Sequence, residues 1–291
     1  MSLIEAIMPY SSIALIGMAK NVGKTTVLNY LISNFAKIGQ SLAITGIGRD
    51  GEDIDIVTKT SKPRIYVSAG TIIATAENLL PLCDATLEII SISNFDTPMG
   101  RVILAKTRSA GFVQIGGPGI IAHMEFIVNQ LKRLNPDKIL IDGAISRKSL
   151  ATPGLAESVI LSTGAALGGT MAEIIAKTRH TADLFCLPRA EPNEGDIYLP
   201  GAITDTIIRP LLAGLQKNTQ IIADNASKIF ISPDLYDKLR IKGGVLAVRR
   251  PIALTAITVN PTSPHGNNFP PGDFLAQMQA ATQIPCYDVG V

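Results

Sequence analysis

The sequence predicts an α/β protein: a mostly parallel sheet with helices on both faces, plus a smaller α/β module toward the C-terminus. The first observation is an apolar run, Ser12 to Ile16, followed by a glycine-bearing loop, a helix-like stretch from Val27 to Ile38 and a second apolar strand, Ser41 to Thr45. Strand, helix, strand in that order is the unit of a right-handed parallel crossover. The second is composition: charged residues make up 17% and apolar residues 46% of the chain, against a usual charged share of ~25%. Much of each element's surface must then be hidden, as in a parallel sheet covered on both sides, with an oligomer or partner interface adding to it. The third is length, since 291 residues suffice for one large or two ordinary domains and a substantial core.

The stretch Gly17-Met18-Ala19-Lys20-Asn21-Val22-Gly23-Lys24-Thr25-Thr26 sits between the first strand and its helix. In that context a Gly-Lys-Thr triplet predicts phosphate binding. A loop wrapped around a phosphate turns successive N–H groups inward, and the helix opening at Lys24 adds the positive end of its dipole. Gly23 permits the tight backbone, Lys24 reaches for the β and γ phosphates, and the Thr25 hydroxyl is placed to ligate Mg²⁺. ATP with Mg²⁺ is the expected ligand, with Gly17, Lys20, Asn21, Val22, Gly23, Lys24, Thr25 and Thr26 around it. Six residues separate Gly17 from Lys24, and Met18 stands where the ordinary motif has its first glycine.

The helix from Thr25 to Ile38 carries Val27, Leu28, Leu31, Ile32 and Phe35 at helical spacing and stops at Gly39, a natural C-terminal residue. After the strand Ser41 to Thr45 comes a glycine-rich acidic loop, Gly46 to Asp55, at the edge where open α/β sheets place ligands. It suits a switch or Mg²⁺-associated segment, Asp50 first as a catalytic acid and Asp53 second, or else an ordinary solvated turn. Lys62 to Val67 reads as a short strand and Thr71 to Leu82 as a helix capped by Thr71 and ended near Pro81. Ala85 to Ile92 and Arg101 to Lys106 read as strands joined by residues 93–100.

A second glycine-rich turn, Thr107 to Gly119, leads into a helix from Ile120 to Leu134. Its glycines are read as shaping a turn in preference to an anion site assisted by Arg108, because no phosphate-binding lysine accompanies them. His123 on that helix is read as packed or surface-lying, not as a ligand. Lys138 to Asp142 is a short apolar strand ending in an aspartate, the Walker B arrangement, in which the carboxylate holds Mg²⁺ or its water across from Thr25. Asp142 is therefore assigned to the metal and, with Lys24, to catalysis. Residues 144–150 follow as a basic loop that approaches phosphate, forms a lid, or is simply a loop.

A strand from Ser158 to Thr163, a helix from Thr170 to Arg179 and the segment Asp183 to Leu187 close the first body, residues 1–190. The Pro- and acid-rich stretch Pro188 to Pro200 is the boundary on composition. Residues 191–291 form the smaller module, able to pack as one unit with the first. Its helices are expected near 205–215, from Ser232 and from Asp273, and its strands near 220–223, 228–231 and 245–259, the last interrupted by Pro251.

A formal charge of +2 gives no electrostatic case for nucleic acid. Met1 to Ser11 lacks a basic region followed by a long apolar core, so it does not read as a signal peptide, and no apolar run approaches the ~20 residues of a membrane helix. Cys83, Cys186 and Cys286, odd in number and far apart, read as buried thiols of a cytoplasmic protein without metal spacing.

The loop spacing resembles that of dethiobiotin synthetase and the cobyrinic and cobyric acid synthetases, in the SIMIBI class of P-loop NTPases that also holds metallochaperones and cobalamin-enzyme chaperones. Lys20 stands one place from the second, signature lysine of that class. Taken with Ser109-Ala110-Gly111-Phe112, Gly116-Gly117-Pro118-Gly119, Ile141-Asp142-Gly143-Ala144 and Val259-Asn260-Pro261-Thr262-Ser263-Pro264-His265-Gly266, most of the chain resembles the P-loop subunit of the lysine 5,6-aminomutase reactivating factor. That resemblance implies an ATP-dependent chaperone that exchanges damaged cobalamin on an adenosylcobalamin-dependent aminomutase. It also implies a MutS-like ATPase subunit as partner; a homodimer is a further expectation. The alternatives are an ATP-dependent synthetase acting on a small carboxylic acid and a metallochaperone-type GTPase. Against the GTPase no Asn-Lys-x-Asp motif is present, and against the synthetase no second catalytic domain or glutamine-hydrolysing cysteine site is recognisable. A structural protein with a vestigial loop is disfavoured by the intact Lys24, Thr25 and Asp142.

Overall fold

The computed structural model describes residues 1–48, 64–143, 154–264 and 266–289. The acidic loop's Asp50 and Asp53 and the basic loop at 144–150 lie outside the described residues. The first half contains α1 (Leu3–Ile7), β1 (Ser12–Gly17), α2 (Lys24–Lys37), β2 (Leu42–Gly46), β3 (Ile65–Val67), β4 (Ile72–Ala76), β5 (Leu87–Thr97), β6 (Gly100–Thr107), β7 (Gly111–Val113), α3 (Ile121–Arg133) and β8 (Lys138–Asp142). The second half contains β9 (Ser158–Gly164), α4 (Met171–Phe185), β10 (Ile197–Leu199), β11 (Ile203–Thr204), α5 (Asp205–Gly214), β12 (Gln220–Ala223), β13 (Ile229–Phe230), α6 (Pro233–Ile241), β14 (Val245–Val248), β15 (Ala253–Asn260), α7 (Pro271–Ala281) and β16 (Cys286–Asp288).

Nine strands form the main sheet in the order β16-β15-β9-β1-β8-β2-β4-β6-β5. From β16 to β4 every neighbouring pair is parallel, and only β6 and β5 add an antiparallel hairpin at one edge. The expected fold class is therefore present: a large, mostly parallel α/β sheet flanked by helices. All six residues of β1 are buried, as a strand covered on both faces requires. Alternation divides its side chains: Ile13 and Leu15 pack with Leu28, Leu31 and Phe35 of α2, while Ala14 and Ile16 pack with α3, α4 and α7 on the opposite face.

Helix α2 buries Val27, Leu28, Leu31, Ile32 and Phe35, each worth about 1.5–3 kcal/mol when fully removed from water. It ends in a Schellman turn, with Gly39 at φ 74°, Gln40 N–H donating to Phe35 O at 3.0 Å and Gly39 N–H to Ala36 O at 3.1 Å. Among the described residues no helix is long and apolar enough to cross a membrane.

Four expectations change. Residues 71–82 are not a helix: Ile72–Ala76 is β4, parallel to β2 and antiparallel to β6, and only Glu77–Leu82 is helical, as a 3₁₀ segment containing Pro81. The Thr71 hydroxyl donates to Ser68 O at 2.9 Å instead of capping a helix, and Ile72, Ile73 and Thr75 are β-branched residues suited to a covered strand. The strands at 85–92 and 101–106 extend to a hairpin that reverses at Pro98 and Met99.

Helix α4 runs on to Phe185, because Ala182, Leu184 and Phe185 continue its buried face past Arg179. Finally, residues 191–291 are not one piece. β10, β12 and β14 make a separate parallel sheet over the core of Leu184, Ile208, Ile221, Leu235 and Leu246, but β15 and β16 return to the main sheet beside β9. The smaller module is thus an insertion between α4 and β15.

Candidate functional site

The main sheet reverses its winding beside β1. From β1 the chain passes through α2 on one face to β2, whereas β9, the neighbour of β1 on the other side, passes to α4 on the opposite face. The two connections part at the carboxyl ends of β1 and β9, the switch point at which open α/β sheets carry their ligand crevice. Gly17 ends β1 inside that crevice, and pairing continues one residue further, Met18 N–H donating to Ser162 O at 2.9 Å.

Two residues of the loop have left-handed backbone, Asn21 at φ 61° and Gly23 at φ 87°. Asparagine and glycine are the residues that enter this region at least expense. Val22 between them is 1% exposed and anchors the loop. Gly23 is the N-cap of α2 with no side-chain hydrogen bond, and no acid lies in the first turn. The opening N–H groups of a helix have no intrahelical acceptor, so the start of α2 presents donors of the kind that bind anions.

Lys24 starts α2 and folds back along the loop. A Cβ built on Gly17 would lie 2.8 Å from Lys24 Cδ, 2.9 Å from its Nζ and 3.0 Å from Val22 Cγ2. Only glycine fits at 17 with the lysine in this place. Thr25 and Thr26 are half-buried in the first turn, and Lys20 is exposed at the loop.

Asp142 ends β8, next to β1, with Leu15 and Gly46 opposite it in register. Leu140, two residues before it, packs with the α2 core, so strand alternation turns Asp142 to the same face as α2 and Thr25. Its Oδ1 is a buried oxygen. A Cβ at Gly46 would approach Asp142 O to 3.3 Å and Ile115 Cγ2 to 3.0 Å, so a side chain here would crowd the point where β2 passes the aspartate. The structure thus brings Gly17 to Thr26 and Asp142 to one edge of the sheet.

The second glycine-rich turn is structural, as expected. Ala76 N–H donates to Gly116 O at 2.8 Å, Gly48 N–H donates to Gly117 O at 3.2 Å, and a Cβ at Gly117 would fall 2.3 Å from Gly46 O. Arg108 pairs with Glu88 across the hairpin. His123 stacks on Phe95 with centroids 4.0 Å apart, which fits its reading as a packed residue.

The cysteines are less enclosed than expected. Cys83 and Cys286 are partly buried and Cys186, just past the end of α4, is exposed. Burial pushes the Cys286 thiol up to about 12. Among the described residues no group of three or more His, Cys, Asp or Glu side chains is placed to hold a metal.

One residue at this edge was not singled out from the sequence. Asn260, the last residue of β15, donates from Nδ2 to Asn21 O at 3.1 Å. Its sequence signal was membership of the stretch 259–266 that carries the resemblance, which assigned it no role. No family model matches the chain, and no curated protein matches it.

Proposed function

We propose that the chain is a P-loop NTPase that binds Mg²⁺·ATP at residues 17–26 and hydrolyses it. The observation that carries this reading is the placement of Lys24 over Gly17, beside left-handed Asn21 and Gly23, at the crevice where Asp142 also ends its strand. The first N–H groups of α2 and those of the loop bind phosphate oxygens, and Lys24 adds charge at the β and γ phosphates. Thr25 and Asp142 hold the metal or its water. Mg²⁺, when bound, neutralises charge on the transferred phosphoryl group. Catalysis in this class is largely positioning and electrostatics, which a lysine confined by its own loop supplies.

The resemblance to the aminomutase reactivating factor extends the proposal: hydrolysis drives exchange of damaged cobalamin on an adenosylcobalamin-dependent aminomutase, together with a MutS-like ATPase subunit. The test is ATP turnover by the purified chain with and without such a mutase, alongside nucleotide-dependent capture of the mutase. Stimulated turnover and capture support the reactivation reading. Turnover that requires a small carboxylic acid and ignores the mutase replaces it with a synthetase.

A further inference from the structure

We infer that Asn260 is a positioning residue that sets the shape of the phosphate loop from the far side of the crevice. The inference rests on the nucleotide reading above. β15 lies two strands from β1, with β9 between them, a separation of about 10 Å at ordinary strand spacing. A short side chain spans it for two reasons visible in the structure. The loop leaves β1 still paired to β9, its Met18 N–H held by Ser162 O at 2.9 Å. The end of β9 is bare: a Cβ at Gly164 would stand 2.5 Å from Asn260 O and 3.0 Å from Asn260 Cβ.

The amide of Asn260 is oriented from both ends. Its Oδ1 accepts from Thr262 N–H at 3.0 Å and from the Thr262 hydroxyl at 2.8 Å, which leaves the NH₂ group to face the loop. There Nδ2 donates to Asn21 O at 3.1 Å. The same side chain lies over Gly23, where a Cβ would sit 3.4 Å from Asn260 Cβ and 3.6 Å from Nδ2. Asn260 therefore hydrogen-bonds to one left-handed position of the loop, Asn21, and lies beside the space over the other, Gly23, and fixes the turn that aims the N–H groups and Lys24. A loop held in its binding shape avoids ordering on binding, and that saving appears in nucleotide affinity.

The experiment compares Asn260→Ala and Thr262→Ala with the parent chain in two measurements. Steady-state ATP turnover should show the nucleotide KM raised about tenfold in Asn260→Ala and about threefold in Thr262→Ala, with kcat within about twofold, the pattern of lost uniform binding. A merely structural role would lower kcat through the folded fraction and leave KM alone. Hydrogen exchange without nucleotide should show faster exchange of amides 18–23 in both variants, with β1 unchanged. Unaltered KM and unaltered loop exchange in folded variants would overturn the inference. A parent chain that turns over no nucleotide would defeat the functional reading instead, and exchange of the nucleotide-free loop would then decide on Asn260 alone.

Discussion

Gly17→Ala tests the loop geometry more sharply than removal of the lysine, because it keeps the lysine's charge and acts chiefly on where Lys24 stands, with a lesser contact at Val22 Cγ2. The new methyl carbon would lie 2.8 Å from Lys24 Cδ and 2.9 Å from Nζ. Non-bonded carbon atoms settle at about 3.5–4.0 Å, so the lysine must withdraw by about 1 Å. Its flexible end can do so, and the fold should lose under about 1 kcal/mol, shifting the thermal midpoint by no more than about 2–4 °C for a chain of this size. The phosphate contact has no such freedom. A charge-assisted hydrogen bond is worth about 1.5–3 kcal/mol, and at 1.4 kcal/mol per decade its loss weakens nucleotide binding by about 10–100-fold. Calorimetric titration of the folded variant with Mg²⁺·ATP reads this directly. Full affinity at an unchanged melting point would refute the argument that Lys24 works from its place over Gly17.

Asp142→Asn should keep most nucleotide affinity and lose Mg²⁺-dependent hydrolysis, since the amide preserves shape but not charge; unchanged turnover at saturating Mg²⁺ would move the metal role elsewhere. The inserted module should lose stability in acid. Asp196 is held below the usual carboxylate range by the N–H groups of Asn193 and Gln220, Asp205 by the N–H and hydroxyl of Ser232, and Asp224 chiefly by the Tyr198 hydroxyl. A lowered folded value means stability that is present above the ordinary ~3.9 and is lost as pH falls through the folded value. The thermal midpoint should therefore fall as pH drops through that range, less steeply in Asp196→Asn and Asp205→Asn variants, and a midpoint independent of pH would contradict this. Burial raises both thiols, Cys286 as far as about 12, but Cys186 is the exposed one, so iodoacetamide at pH 8 should label Cys186 before Cys286. Equal rates would mean that β16 opens readily.

The parts legible in the sequence were those whose signal is local. β1 with α2, and β8 ending in Asp142, were read near their observed bounds because an apolar strand, a glycine loop and a helical stripe follow one another directly. β4 was misread for a physical reason: Ile72 to Ala76 is covered on both faces, lacks alternation, and runs into the apolar Leu79 and Leu80, so its spacing mimics a helix. Sheet order is not local either. The turn residues at Pro188 announced a boundary, but nothing near Pro251 tells that β15 rejoins the main sheet beside β9. Asn260 was missed on the same account, since its partner Asn21 lies 239 residues away in sequence and meets it only when three strands are set side by side.

The central claim is that the crevice at the end of β1 is a nucleotide site organised by Lys24. Its most direct test is calorimetric titration of Mg²⁺·ATP into the intact chain and into a folded Lys24→Ala variant. The account predicts saturable binding of one nucleotide per chain in the parent protein, with a Kd in the micromolar range, about −8 kcal/mol, and severe loss of affinity in the variant. Absence of binding to the parent chain at about 1 mM nucleotide, or equal affinity in the two proteins, would contradict it.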